Sequence, residues 1–262
     1  MFSRLLPALA GTALMLLASP VLAQSATGTA RGVDPQASAT IQNQTRQLVV
    51  GSDVFIGDRV ETGDKGLVQI KFADQTELVV GPRSALVIDD YLLRADNSIG
   101  KLSVNALAGT FRFATGTGPK DRYQISTPTG TIGVRGTEFD FVVTPQNTQV
   151  LLFSGGVQMC NAGGQCAELT ETCDLGSFDT ALAQVLGHPD AITGQARADL
   201  RSQFLYAVNQ SGLMSEFRFD SALRCLNRPA SEDVPALDTI LGDGDAPVDD
   251  YNSCSFYEYS CG

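Results

Sequence analysis

The chain has 262 residues, with 18 Lys and Arg against 29 Asp and Glu and a formal net charge of -11. That acidic balance opposes nucleic-acid binding, which depends on basic side chains displacing counterions from phosphates, and it equally disfavours anionic membrane surfaces. The length accommodates one domain, or a domain with a smaller appendage.

Residues 1–23 carry one basic residue, Arg4, an apolar run from Leu5 to Ala18, and small side chains flanking a cut after Ala23. This is the pattern of a secretory signal peptide. The apolar run is shorter than a bilayer-spanning helix requires, and Gln24 follows the cut where a bacterial lipid anchor would need cysteine. No later segment is long and apolar enough to span. The mature chain is therefore expected to lack a transmembrane anchor and to be periplasmic or secreted. Residues 24–47, rich in Ser, Thr, Ala, Gln and Gly with Ile41 as the apolar foothold, read as a flexible N-terminal segment.

From residue 48 to 159 short apolar runs alternate with turn residues. Val68, Ile70 and Phe72 face one way and Gln69 and Lys71 the other, as in a half-buried strand. Gly81-Pro82 and Ala95-Asp96-Asn97 break the chain, and Leu102 and Val104, Phe111 and Phe113, Tyr123 and Ile125 repeat the alternation. The spacing predicts a mainly β domain, solenoid-like or sandwich-like and twisted. In the stretch TPTGTIGVRGTEFDFVV, Ile132 and Val134 share one parity while Phe139, Phe141 and Val143 share the other. Strand side chains alternate with a period of two, so one residue must be absorbed near Arg135-Gly136, and glycine can do so as a bulge or corner. The expectation is one strand bent at Gly136. Residues 149–159 read as a hairpin turning at Ser154-Gly155-Gly156.

Past Cys173 the period changes to that of helices. Phe178, Leu182, Val185 and Leu186 suggest one helix, and Leu200, Phe204, Ala207 and Val208 a second with Thr193 as N-cap. A third is expected near Ser221 to Leu226. Residues 160–228 thus form a Cys-containing helical region, and residues 229–262 an acidic, Cys-containing tail. Cys160, Cys166, Cys173, Cys225, Cys254 and Cys261 all follow the β domain. An even number in an exported chain favours disulfides. The loops Cys160 to Cys166 and Cys254 to Cys261, and the pair Cys173 with Cys225, are candidates among which the sequence does not choose.

Three ordered motifs carry a family resemblance: QIKFADQTELVVGPRSALVID at Gln69 to Asp89, LAGTFRF at Leu107 to Phe113, and TPTGTIGVRGTEFDF from Thr127. Together they resemble the FecR-type domain over roughly Val49 to Met159, with Gly130, Gly133, Arg135, Gly136, Thr137, Glu138 and Phe139 as its structural signature. The resemblance implies an all-β, extracytoplasmic, non-enzymatic module whose best-understood relatives relay a transport signal across the inner membrane. The chain departs from those regulators. It shows no cytoplasmic anti-sigma segment before the apolar N-terminus and no retained spanning helix, so direct sigma-factor control and a role in iron uptake are not expected.

Reactive chemistry finds little footing. His188 is the one histidine, in a Gly-His-Pro loop without a nucleophile motif, and reads as solvated. The cysteines lack a CxxC spacing, which disfavours structural zinc and thioredoxin-like redox sites. Asp243, Asp245, Asp249 and Asp250 could gather calcium, but their spacing departs from the EF-hand loop and a solvated acidic linker is preferred. Arg135 is expected to neutralise Glu138 or Asp140 beside the Gly136 corner. The glycine-rich segments match neither phosphate-loop nor dinucleotide fingerprints, so no catalytic, metal or cofactor site is assigned. The leading expectation is an exported protein that binds a protein partner in the bacterial cell envelope along exposed strand edges. A structural or surface-assembly role is the alternative, and an extracytoplasmic hydrolase, supported only by scattered carboxylates, comes third.

Overall fold

Short β-runs separated by turns can close a sheet upon itself only if the chain decides, at each turn, whether to stay in one layer or cross to another. The computed structural model describes residues 25–93, 99–119 and 122–227. The expected signal peptide, the turn expected at Ala95-Asn97, the Asp243 to Asp250 run, Cys254 and Cys261 lie outside the described residues. In chain order the strands are β1 (Gly28–Asp34), β2 (Ala37–Ile41), β3 (Gln44–Leu48), β4 (Asp53–Val54), β5 (Arg59–Thr62), β6 (Leu67–Phe72), β7 (Glu77–Val80), β8 (Ala85–Leu93) and β9 (Ile99–Ala114). There follow β10 (Tyr123–Thr127), β11 (Gly130–Val134), β12 (Glu138–Val143), β13 (Thr148–Ser154), β14 (Val157–Asn161), β15 (Cys166–Leu169), β16 (Leu175–Phe178) and β17 (Ala183–Gly187).

They form two facing layers joined through β9. One runs β4-β1-β6-β7-β9-β12-β13-β16-β17. The other runs β3-β2-β5-β8-β9-β10-β11-β14-β15. All of these pairings are antiparallel except β9 with β10. The long strand β9 leaves one layer for the other at Gly109, where φ is +116° and a Cβ would lie 2.1 Å from Ser84 Oγ, so glycine is required there. Later pairs of strands are dealt alternately to the two layers: β10-β11, then β12-β13, then β14-β15, then β16-β17. The fold is therefore mainly β, arched from turn to turn like a solenoid yet layered like a sandwich.

Several sequence expectations change accordingly. The corner at Gly136 exists, with φ at +69°, but it separates two strands in different layers and does not bend one strand. The change of parity from Ile132 to Phe139 is what crossing demands, because both sets must point into the same interlayer core. Residues 149–159 are likewise an arch and not a hairpin: β13 pairs with β12 and β16, while β14 pairs with β11 and β15. The expected flexible segment at 24–47 contains β1, β2 and most of β3, with β1 completing the hydrogen bonding of β6. Its inward positions Ala30, Ala37 and Ala39 are fully buried, so the alternation is real but written in small residues. The expected helix through Phe178 to Leu186 is the β16-β17 hairpin, in which Phe178 pairs with Ala183. Its tight turn is held by Asp179 Oδ1, which accepts the N–H groups of Ala181 and Leu182 at 2.7 and 2.8 Å.

Between the layers lies one apolar core, including Ile70, Phe72, Phe111, Phe113, Ile132, Phe139, Phe141 and Val150. The outer face of the β6-β7-β12-β13 layer is covered as well. Helices α1 (Gly194–Gln203), α2 (Leu205–Val208) and α3 (Asp220–Asn227) set Leu200, Phe204, Ala207, Phe219 and Leu226 on Val142, Leu151, Phe153 and Leu175. Tyr206, Leu213 and Phe217 cover Leu67 and Val79. Burial on both faces explains why β12 and β13 read as nearly continuous apolar runs. Thr193 stands at the N-cap of α1, as expected, though its side chain makes no capping hydrogen bond.

Candidate functional site

The signature residues do not converge on a cleft; they build and lock the crossing between layers. A Cβ on Gly130 would lie 2.1 Å from the Cys160 carbonyl oxygen, so glycine lets β11 approach β14. Thr137 is the lock of the Gly136 corner: its hydroxyl donates to the Gly156 carbonyl at 2.8 Å, and its N–H donates to Thr115 Oγ1 at 3.0 Å. The Arg135 N–H also reaches the Gly156 carbonyl, at 3.0 Å. Successive arches are thereby stitched side by side. Phe139 enters the core, its ring 5.5 Å from Phe113 and 5.6 Å from Phe141. A Cβ on Gly133 would meet only ordinary contacts, the nearest 3.8 Å away at the Gln158 carbonyl oxygen; the residue lines a trough with Lys101, Arg122, Gln124, Thr131 and Gln158.

The expected pairing of Arg135 with Glu138 or Asp140 is not what holds this region. Arg135 is exposed and Glu138 half-buried. Asp140 is fully buried and is gripped by Arg112, whose Nε and Nη2 donate to the two carboxylate oxygens at 2.7 and 3.0 Å. Arg112 Nη1 donates further to Gln210 Oε1 at 2.5 Å and to the Phe217 carbonyl at 3.2 Å. The guanidinium lies 4.6 Å from the Phe219 ring, 5.4 Å from Phe153 and 5.7 Å from Tyr206. Burial pushes the Asp140 carboxyl upward, and the Arg112 charge opposes it. An ion pair so fully occupied by partners, with no solvent beside it, is a fastener between strand layer and helices and offers no acid or base to a substrate. Sequence reading missed it because Arg112 and Asp140 alternate with apolar neighbours and so read as solvent-facing.

A second polar cluster lies within the sandwich. Buried Asp74 accepts from the Thr76 hydroxyl at 2.6 Å and from the Tyr123 hydroxyl at 3.0 Å, and its own N–H donates to Tyr91 Oη at 3.0 Å. Burial, with the Asp74 charge adding to it, pushes the Tyr123 phenol up to about 12 and that of Tyr91 further. These phenols remain protonated donors, which serves the turn and not proton transfer.

The accessible features lie at the sheet edges. Among the described residues β3, β4, β15 and β17 are each hydrogen-bonded on one side only. Arg46 on β3 is tied to Asp58, and β15 is stapled to β14 by the Cys160–Cys166 disulfide. Strand β17 (AQVLG) has no charged residue, and Leu182, Val185 and Leu186 are exposed on and beside it. An edge without charge, proline or cover is open to pairing with another chain.

At the other end of β17 the chain meets the helices. Cys173 and Cys225 form a disulfide that ties the turn before β16 to α3. His188 is not a freely solvated loop residue: its Nε2 lies 3.5 Å from Asp174 Oδ1 and 3.7 Å from Glu171 Oε2. These three are the residues that could hold a metal ion among those described. Sequence reading missed the group because the single histidine was weighed without the two carboxylates that the β16-β17 hairpin folds back against it.

Comparison with known proteins gives one family. Residues 58–158 match the family model described as FecR protein. No curated protein matches the chain. Two crystal structures, at 1.65 and 2.50 Å resolution, of a protein described as a candidate anti-sigma factor from Parabacteroides distasonis are similar, each at 11% identity with TM-scores of 0.38 and 0.39. Each similarity covers 49% of this chain and 57% of the other, so the match spans little more than half of that protein's length.

Proposed function

Residues 58–158 are a FecR-type domain, and from that premise we propose that the protein is an exported, non-enzymatic binding module that senses or relays a signal through a protein partner in the bacterial cell envelope. The family match is the observation that carries this reading. The two disulfides agree with an oxidising compartment outside the cytoplasm. No helix among the described residues is long and apolar enough to cross a membrane. The partner's docking strand is assigned to β17, the uncharged edge with exposed Val185 and Leu186. Backbone hydrogen bonds from an added strand would supply affinity there, and the two apolar side chains would supply selectivity.

The test is site-specific photocrosslinking in the native envelope, with a photoreactive residue at exposed Gln184 on β17 and, as control, at exposed Lys65. A single heterologous adduct from position 184 and none from 65 is expected. Adducts only between copies of this chain would favour surface assembly instead, a reading the same open edge accommodates. No adduct from either position would refute the docking assignment.

A further inference from the structure

We propose that Glu171, Asp174 and His188 form a divalent-cation site suited to zinc, placed where the last hairpin of the sandwich meets the helices. The three donor atoms, Glu171 Oε2, Asp174 Oδ1 and His188 Nε2, lie within 4.8 Å of one another. Tetrahedral zinc with bonds of about 2.0–2.2 Å to nitrogen and carboxylate oxygen sets its donors about 3.3–3.6 Å apart. The His188 to Asp174 and His188 to Glu171 separations, 3.5 and 3.7 Å, already meet that spacing to within about 0.1 Å. The remaining edge closes by rotation of Glu171, whose side chain is 76% exposed and free to turn.

The surroundings favour the same assignment. Asp174 Oδ2 accepts the backbone N–H groups of Thr170 and Glu171 at 3.0 and 2.9 Å. The carboxylate is thereby fixed in orientation, with Oδ1 turned to His188, as outer-shell hydrogen bonds orient ligands in metal sites. Cys173, between the two carboxylates in sequence, is bonded to Cys225 of α3, so the turn that presents them is anchored. An open cavity of about 370 Å³, lined by Thr172, Cys173, His188, Asp190 and Arg224 among others, adjoins the imidazole and gives room for a water as fourth ligand. A neutral imidazole with two carboxylates carries two negative charges, which a divalent ion neutralises; Arg224 and Asp190 beside it offset each other. Calcium and magnesium take oxygen donors, whereas imidazole with carboxylate suits zinc. The ion would join the 171–174 turn to the end of β17, beside the covalent link to α3.

The experiment is calorimetric titration of zinc chloride into the full chain after chelator treatment. One equivalent should bind. His188→Ala and Glu171→Gln should each weaken binding by more than the roughly 10–100-fold typical of losing an outer-shell partner, while Asp243→Asn with Asp245→Asn leaves it unchanged. Glu171 is exposed, so its variant keeps the test valid even if His188→Ala fails to fold. No heat with the wild-type chain, unchanged affinity in Glu171→Gln, or loss of binding in the tail variant would each overturn the assignment.

Discussion

Between the two β layers, Phe111, Phe113, Phe139, Phe141 and their neighbours fill one continuous apolar volume, and no single contact decides whether the layers stay together. On the outer face the helices lie over a smaller apolar area and are fixed at distinct points: the Arg112–Asp140 pair, the Cys173–Cys225 disulfide and the Lys71–Glu216 contact. Redundant apolar packing tolerates substitution so long as volume is kept, whereas point fasteners fail one at a time. The β body should therefore behave as the lasting scaffold and the helical cover as the part that can be loosened selectively.

The largest effect should come from the arches, because they serve the scaffold itself. A Cβ on Gly155, where φ is +83°, would lie 2.0 Å from the Gly136 carbonyl oxygen. Gly155→Val should leave no cooperative melting transition in circular dichroism. Asp140→Ala comes next, since it strands a buried guanidinium and should cost about 3–5 kcal/mol by urea denaturation. The paired change Arg112→Met with Asp140→Leu should recover most of that loss, because removing both charges also removes their desolvation cost.

The two disulfides sharpen the contrast. Cys173→Ser opens a link across 52 residues and should cost about 4 kcal/mol on loop-closure grounds, against about 2 kcal/mol for Cys160→Ser, whose link spans 6. Denaturant midpoints of the two variants check the ranking. The smallest effect belongs to Glu216, whose carboxyl is held below its ordinary value by hydrogen bonding to Lys71, with Arg31 adding to it. A depressed carboxyl contributes stability above its unfolded value and loses it as pH falls through the folded one. Glu216→Gln should therefore cost only a few tenths of a kcal/mol at pH 7, because solvent still screens this partly exposed pair, and nothing at about pH 2. Melting curves of the variant and the wild type at both pH values measure it.

What could be read in the sequence follows from how far each signal reaches. That a corner is needed at Gly136 was legible because parity is local, but not that it joins two layers. Helices α1 and α3 stand where helices are expected, yet of Leu200, Phe204, Ala207 and Val208 only Leu200 lies in α1, which ends at Gln203 before α2 begins at Leu205. Cys160–Cys166 and Cys173–Cys225 stood among the candidate pairs, though nothing local selected them. Ala30, Ala37 and Ala39 concealed three strands, since small side chains make a weak apolar stripe. Phe178, Leu182, Val185 and Leu186 matched a helical period by coincidence: Phe178 is in the core and the other three are exposed. Arg112 and Asp140 could not be paired from sequence, because what buries them is a helical segment far along the chain. The carboxylates beside His188 were likewise brought there by a hairpin that had been read as a helix.

Hydrogen exchange read by mass spectrometry on the Cys173→Ser chain tests most directly whether scaffold and cover are separable. Amides of residues 194–227 should lose protection while those of 138–143 and 148–154 keep theirs. Simultaneous loss in all three segments would contradict it, showing that the helices and the strands beneath them are one cooperative unit.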